Sequence, residues 1–432
     1  MPTSSQPLFY ETSKCVALYL DQNIRLQLLL RCPSFRSIHK NQVLRIRQLK
    51  LRPDNFEING TAYKLGILRR YTNGEAPEEI RHSNNAGGFQ HDMDRYGIPI
   101  SNEVVNETDA EIVERLEQRL QLPGVYHARR FIEIIEILEE IQPRILQYNM
   151  RMNNEVPPFT HYLQLTMTTG TEQKVERVEY SKTLNEVKDY ILHRFFGLNS
   201  RKVQVQTLKI GPNGFEDMEE PISNLALQVF SHIGKEFLEM SRLAVSGNVV
   251  NVLANLKEVI NMAPPLLEFK LAYQPIPDDA IVESAELLNI AKRSSLRILS
   301  GRLNYHIHLH ACFIDNEDLM FMMNEWNNNK SRAIRYYSIG FSQKLELKRF
   351  LNMFKNVPGA ERGEIEEIRP TEFPDCIVIP LKNDTELNVF CQETEDEVEK
   401  YCKKEYSLQQ IYWKVVKIKV QPRGFADVLG PF

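Results

Sequence analysis

The sequence has no long hydrophobic run. No uninterrupted apolar stretch approaches the ~20 residues needed to cross a bilayer, so no membrane-spanning helix is expected. The opening Met-Pro-Thr-Ser-Ser-Gln-Pro-Leu lacks a basic start followed by an apolar segment, so it does not read as a secretory signal. Cysteine is scarce: Cys15, Cys32, Cys312, Cys376, Cys391 and Cys402 are scattered without CxxC spacing. That argues against a disulfide framework and a zinc finger, and fits a reducing compartment, cytoplasm or nucleus. Neither charge is in large excess. With 53 basic and 57 acidic residues the formal charge is -4, which gives no global pull toward nucleic acid. Catalytic signatures are missing too: there is no P-loop, no GxGxxG opening a helix, no GxSxG elbow and no HExxH. No cofactor is expected.

What is present is globular. Hydrophobic residues make up 42% and charged residues 25% of 432 positions. That length suits about two to four domains. Residues 10–40 read as two helices. Cys15, Leu18 and Tyr19 share one face of the first, with Thr12 or Ser13 as cap. Asp21-Gln22-Asn23 turns the chain, and Cys32-Pro33 ends the second helix. The period then drops to two. Leu44-Arg-Ile-Arg-Gln-Leu-Lys-Leu-Arg52 alternates basic with apolar residues, as expected of a strand with one solvated face. No nucleic-acid reader motif accompanies it. Asn59-Gly60 between apolar residues signals a hairpin. Residues 73–108 read as a long polar loop, with 74–100 the most mobile internal segment. An amphipathic helix is expected over 124–149. Two strands (162–168 and 174–180) and a helix (184–196) ending at Gly197 follow.

The chain then repeats itself. Ile46-Arg-Gln-Leu-Lys-Leu-Arg-Pro-Asp-Asn-Phe-Glu57 matches Val205-Gln-Thr-Leu-Lys-Ile-Gly-Pro-Asn-Gly-Phe-Glu216. Further strands centre near Leu243, Phe269, Leu288, His308 and Tyr336, with helices at 316–326 and 343–354. Strand-like runs end the chain at 376–380, 387–391 and 411–420, with an acidic helix at 393–404. The expected fold is mixed α/β: a short N-terminal helical hairpin, then irregular strand–helix repeats forming a curved, leucine-rich-repeat-like sheet. Divisions are read at 1–42, 43–210 and 211–432.

His306, His308, His310 and Cys312 sit at alternate positions of one strand, so they share a face. Neighbours two apart lie ~6–7 Å apart, but the outer histidines are ~13 Å apart, too far to converge on one tetrahedral centre. No further ligand is identifiable, so no metal is expected. Asp92 and Asp94 lack an EF-hand frame and read as solvated loop charge.

Several stretches together resemble the nematode F-box C family: Cys15-Val-Ala-Leu-Tyr-Leu-Asp21, Arg31-Cys-Pro-Ser-Phe-Arg36, Ile58-Asn-Gly-Thr-Ala-Tyr-Lys-Leu-Gly66 and Gly87-Gly-Phe-Gln-His-Asp-Met-Asp-Arg-Tyr-Gly97. The resemblance continues through Pro157–Thr166, Val175–Tyr180, Leu319–Trp326 and Val420–Gly424. It implies an F-box-like module over about 6–40 that docks on a Skp1-like adaptor of a cullin ubiquitin ligase. The remainder would be a family domain (43–210) and an F-box-associated-like region (211–432) that recruits a protein substrate. The partner-binding set is then Pro7, Leu8, Cys15, Leu18, Tyr19, Leu26, Leu29 and Leu30, divided between an inner face and an adaptor-facing edge. Gln6-Pro7-Leu8 replaces the usual Leu-Pro opening, and no tryptophan follows Cys32. The expectation is a non-enzymatic protein-interaction protein, with no nucleic acid or membrane partner. The alternatives are a stand-alone binding module or scaffold that has lost the adaptor, and a metal-dependent enzyme at the histidine strand.

Overall fold

Three helices, Tyr10–Tyr19, Gln22–Arg31 and Phe35–Lys40, precede the first strand in the computed structural model. It describes residues 10–72, 74–100, 146–147, 149–197, 202–211, 223–235, 237–260, 265–271, 276–291, 293–328, 335–341, 343–365, 376–382, 384–392 and 414–432. Pro7, Leu8, the acidic helix at 393–404 and all but the last turn of the helix at 124–149 lie outside these residues.

The strands are β1 (Leu44–Leu51), β2 (Asn55–Ile58), β3 (Thr61–Tyr71), β4 (Phe159–Thr169), β5 (Glu172–Glu179), β6 (Val203–Ile210), β7 (Leu238–Val245), β8 (Glu268–Leu271) and β9 (Leu287–Ile290). They continue with β10 (Ser294–Ser295), β11 (His306–Leu309), β12 (Cys312–Phe313), β13 (Arg335–Phe341), β14 (Glu361–Glu364), β15 (Cys376–Pro380), β16 (Thr385–Gln392), β17 (Lys414–Pro422) and β18 (Asp427–Pro431). The fold is mixed α/β. The chain forms two compact units, one of residues 1–18, 37–53 and 199–432, the other of 19–36 and 54–198.

In the first unit the strand order is β18-β14-β15-β16-β17-β13-β11-β9-β8-β7-β6-β1. Pairing is parallel from β1 to β13 and antiparallel from β13 to β18. The sequence repeat is a strand pair in register: Ile46 lies beside Val205, Leu49 beside Leu208, Lys50 beside Lys209 and Leu51 beside Ile210. The two copies become neighbours, both strands lying within the division read at 43–210. The apolar spacing explains the strand shape. Ile46 and Leu49 are three apart, yet both are buried, as are Val205 and Leu208, and Met240 and Leu243. Strict alternation would put one of each pair on the wrong face. The Cα pairing skips Arg47, Gln206 and Ser241 between them, so the alternation resets there.

Apolar ladders result. Leu49, Leu208, Leu243, Phe269, Leu288, Ile307 and Tyr337 occupy successive paired positions, and all are buried. Burying one such side chain contributes about 1.5–3 kcal/mol. Amphipathic helices bury one stripe each: Leu225, Val229 and Phe230 in Asn224–Ile233, Val249, Val252 and Leu256 in Val249–Leu256, and Leu347, Phe350 and Phe354 in Lys344–Lys355. Phe350 packs on Phe341 of β13, ring centroids 5.0 Å apart.

The second unit is antiparallel, β2-β3-β4-β5. Asn59 and Gly60 turn its first hairpin with φ 51° and 87°, the double positive φ such a two-residue turn requires. Phe56, Tyr63, Phe195 and Phe196 form its aromatic core, and the Tyr63 hydroxyl donates to Asn23 Oδ1 at 2.9 Å. The helix expected to end on a left-handed Gly197 differs. Leu184–Leu192 runs on into a π-helical turn, His193–Gly197. Glycine there gives room instead, since a Cβ would lie 2.6 Å from His193 Nδ1.

The long loop read over 73–108 is corrected for its described part. Glu78–Asn85 is a helix, and Phe89 exchanges backbone hydrogen bonds with Ile67 at 2.8 and 2.9 Å. Gly88, at φ 89°, permits that approach, because a Cβ would lie 2.8 Å from the Ile67 carbonyl oxygen. Arg69, 2% exposed, lies over the rings of Phe89 and Phe159 and donates to the Gly97 carbonyl at 2.9 Å. Polarity of sequence had suggested solvent; hydrogen bonds and one buried guanidinium tie the segment down.

Candidate interaction surfaces

The first helix is a poor fit to a buried element. Of its residues from Glu11 onward only Ala17 is buried. Cys15 is exposed, Leu18 is 57% exposed and Tyr19 90%. Val16, which sequence reasoning did not single out, is exposed as well. The second helix behaves oppositely. Asp21 caps it, its side chain accepting from Asn23 N–H at 2.9 Å, and Leu26 and Leu29 are fully buried while Leu30 is half-buried. The set read as partner-binding is therefore divided: Cys15, Leu18 and Tyr19 face out, and Leu26 and Leu29 face in.

A second surface is the polar side of the parallel strands. Paired positions place Lys50, Lys209, Ala244, Lys270, Asn289, His308, Ser338 and Lys417 in one row. A neighbouring row holds Gln48, Thr207, Arg242, Glu268, Leu287, His306, Tyr336 and Lys419. A groove of about 460 Å³ lies across this face from Gln48 to His306 and includes Glu286 and Tyr305. On its floor Asn289 donates to Glu268 Oε1 at 3.0 Å, and Arg242 lies 3.8 Å from Glu268 Oε2. Asn289 is 1% exposed, and its Oδ1 accepts no hydrogen bond among the described residues.

The histidines belong to this face. His306 Nε2 and His308 Nδ1 both lie 2.8 Å from Ser338 Oγ. His306 stacks on Tyr336, and His308 meets His310 edge to face. Burial holds all three neutral, pushing His306 down to about 3, His308 to about 4 and His310 to about 2. Lys417 adds to the depression at His306, and Lys270 at His308 and His310. Two rings converge on a hydroxyl, and among the described residues no group of three or more His, Cys, Asp or Glu side chains is arranged to hold a metal. Ser338 is 3% exposed, so it is closed to a substrate as a nucleophile. Cys312 leaves the histidine strand for the short β10–β12 pair, and burial pushes its thiol up to about 12.

Asp92 and Asp94 are consumed within the second unit. Asp92 accepts from the Tyr180 hydroxyl at 2.8 Å and from the Leu184 N–H at a helix start. Asp94 accepts from the Tyr96 and Ile98 N–H groups, both at 2.9 Å. The solvated-charge reading of these two residues is thus corrected: they are structural acceptors. Sequence spacing signals this for Asp94, an Asx turn, and gives no signal for Asp92.

Compared with known family models, curated proteins and solved structures, the chain matches none. Among the described residues no helix is long and apolar enough to cross a membrane.

Proposed function

We propose that the chain is a non-enzymatic protein-interaction protein, a substrate-recruiting F-box-like subunit of a cullin ubiquitin ligase. The carrying observation is the exposure of Cys15, Val16 and Leu18 on a ten-residue helix that buries Ala17. Exposed apolar side chains on a helix mark a partner surface better than a fold-stabilising one. A Skp1-like adaptor is the partner that the family resemblance names for this segment. The parallel strands, in this reading a curved leucine-rich-repeat-like sheet, present their polar face to the recruited protein. Two histidine rings spent on the hydroxyl of a buried Ser338 fit a scaffold role.

Purified chain mixed with a purified Skp1-like adaptor is the test. The wild type is expected to elute with the adaptor and Leu18→Asp to elute alone at unchanged melting temperature. A second reading, a stand-alone module without the adaptor, draws on the full burial of Leu26 and Leu29, which removes two of the side chains read as partner-binding. Absence of wild-type co-elution would favour it. Zinc near one equivalent by elemental analysis, lost in His308→Ala, would revive the metal-enzyme alternative.

A further inference from the structure

Strand β5 closes the order β2-β3-β4-β5 at an open edge: among the described residues it pairs with β4 alone. Every residue of it but Glu176 is exposed, and two of them are valines, Val175 at 38% and Val178 at 60%. Two devices that blunt an edge are absent. The strand has no proline, and its register with β4 runs unbroken from Tyr162 beside Glu179 to Thr169 beside Glu172. The edge strand β18, by contrast, contains Pro431 and meets a register shift at Arg362/Gly363. What β5 has is charge, in the order Lys174-Val-Glu-Arg-Val-Glu179. Charge on an edge deters a stray strand, yet this order is complementary to that of a second copy of the chain.

The backbone fixes how such a copy can dock. The Tyr180 N–H donates to the His161 carbonyl at 3.3 Å, one step beyond the paired residues of β4 and β5. Even-numbered residues of β5 therefore bond to β4, and the N–H and C=O groups of Gln173, Val175, Arg177 and Glu179 point away from the sheet. Opposed residues of an antiparallel pair both point inward or both point outward, so a second copy pairs odd with odd and even with even. Two such two-fold registers engage seven of the eight residues. The register centred on Glu176 sets that carboxylate against its own copy. The register centred on Val175 sets Val175 against Val175, Gln173 against Arg177, and Lys174 against Glu176 on both sides of the axis. The Lys174 and Glu176 positions are non-hydrogen-bonded pairs, where side chains approach most closely and opposite charges stabilise. Arg31 meets Glu176 at Oε1, which leaves Oε2 for Lys174 of the other copy.

We infer that β5 pairs antiparallel with β5 of a second copy about a two-fold axis at Val175, making the chain a symmetric dimer. Three pairs, Val175 with Val175 and Gln173 with Arg177 twice, exchange two backbone hydrogen bonds each, about six in all. The same patch serves both copies, as a two-fold interface requires. A single strand edge buries little area, so the dimer forms in a concentration-dependent way. The inference draws nothing from the adaptor reading.

Sedimentation velocity on the full chain, over rising concentration, is the test. The wild type should pass from monomer to dimer. Lys174→Glu and Glu176→Lys each set like charges together at two places, and each should weaken self-association about tenfold or more. Mixed in equal amounts, the two variants regain both opposite-charge contacts, so a heterodimer should form, which native mass spectrometry tells from either homodimer. Circular dichroism checks that each variant is folded. Val175→Pro reads the same edge if a charge reversal does not fold: the Val175 N–H points outward, so proline removes an interface bond and leaves the bonds to β4 whole. A wild type that stays monomeric overturns the inference. So does a dimer indifferent to Val175→Pro and to both reversals, or a mixture of the two reversals that stays monomeric.

Discussion

Arg69 and Lys270 are both cations set among strands, and the two compact units use them differently. Arg69 is sealed in the antiparallel unit, over two aromatic rings and against the Gly97 carbonyl. Asp92 and Asp94 nearby are likewise consumed by hydrogen bonds inside that unit. Lys270 lines an open groove in the parallel unit, in a row with other lysines. Polar residues of the antiparallel unit tie an irregular segment to a sheet, while those of the parallel unit form a continuous face. A charged residue therefore says little about function until the structure shows what surrounds it.

Acid should separate the units most. The folded-state values of His306, His308 and His310, about 3, 4 and 2, lie below the unfolded value near 6.5. Between these limits the unfolded chain binds more protons, so stability is complete above about pH 6.5 and falls as pH drops toward the folded values. At pH 5 each such histidine removes about 2 kcal/mol. In the antiparallel unit His161, held down to about 4 by burial and then by Arg69, contributes the same sign. Hydrogen exchange at pH 5 is expected to show β9, β11 and β13 losing protection before β3 and β4. The reverse order would break the comparison.

Arg69→Ala comes next. It removes both ring contacts and the Gly97 bond and leaves a cavity, an expected loss of about 3 kcal/mol by denaturant melting. A change below about 1 kcal/mol would mean that the guanidinium is not the staple described. Asp92→Ala should cost about 1–3 kcal/mol by orphaning the Tyr180 hydroxyl and the Leu184 N–H. The same network predicts strong amide protection across Gly87–Arg95, measurable by hydrogen exchange; rapid exchange there would return the segment to a mobile loop.

The parallel unit was the more legible of the two. Its strands are named by a local rule, apolar residues spaced two or three apart, and the twelve-residue repeat marks a strand–turn unit used twice, whose pairing in register only the structure shows. The Asn59-Gly60 hairpin was legible for the same reason, since positive φ restricts the residue choice. Residues 74–100 were not, because Arg69, Asp92 and Asp94 find partners far along the chain or in its backbone, and composition reports only their polarity. Among the site residues, Leu18 and Leu26 look alike in sequence. Which one is buried depends on what packs over each helix.

The smallest effect tests the central claim. Leu18→Asp at a 57% exposed position should alter stability by no more than about 0.5 kcal/mol. The decisive measurement is binding of a purified Skp1-like adaptor to wild type and Leu18→Asp, with both melting curves recorded. The account predicts a complex with the wild type, none with the variant, and superimposable melts. No complex with the wild type, together with a collapsed melting temperature for Leu18→Asp, would contradict it.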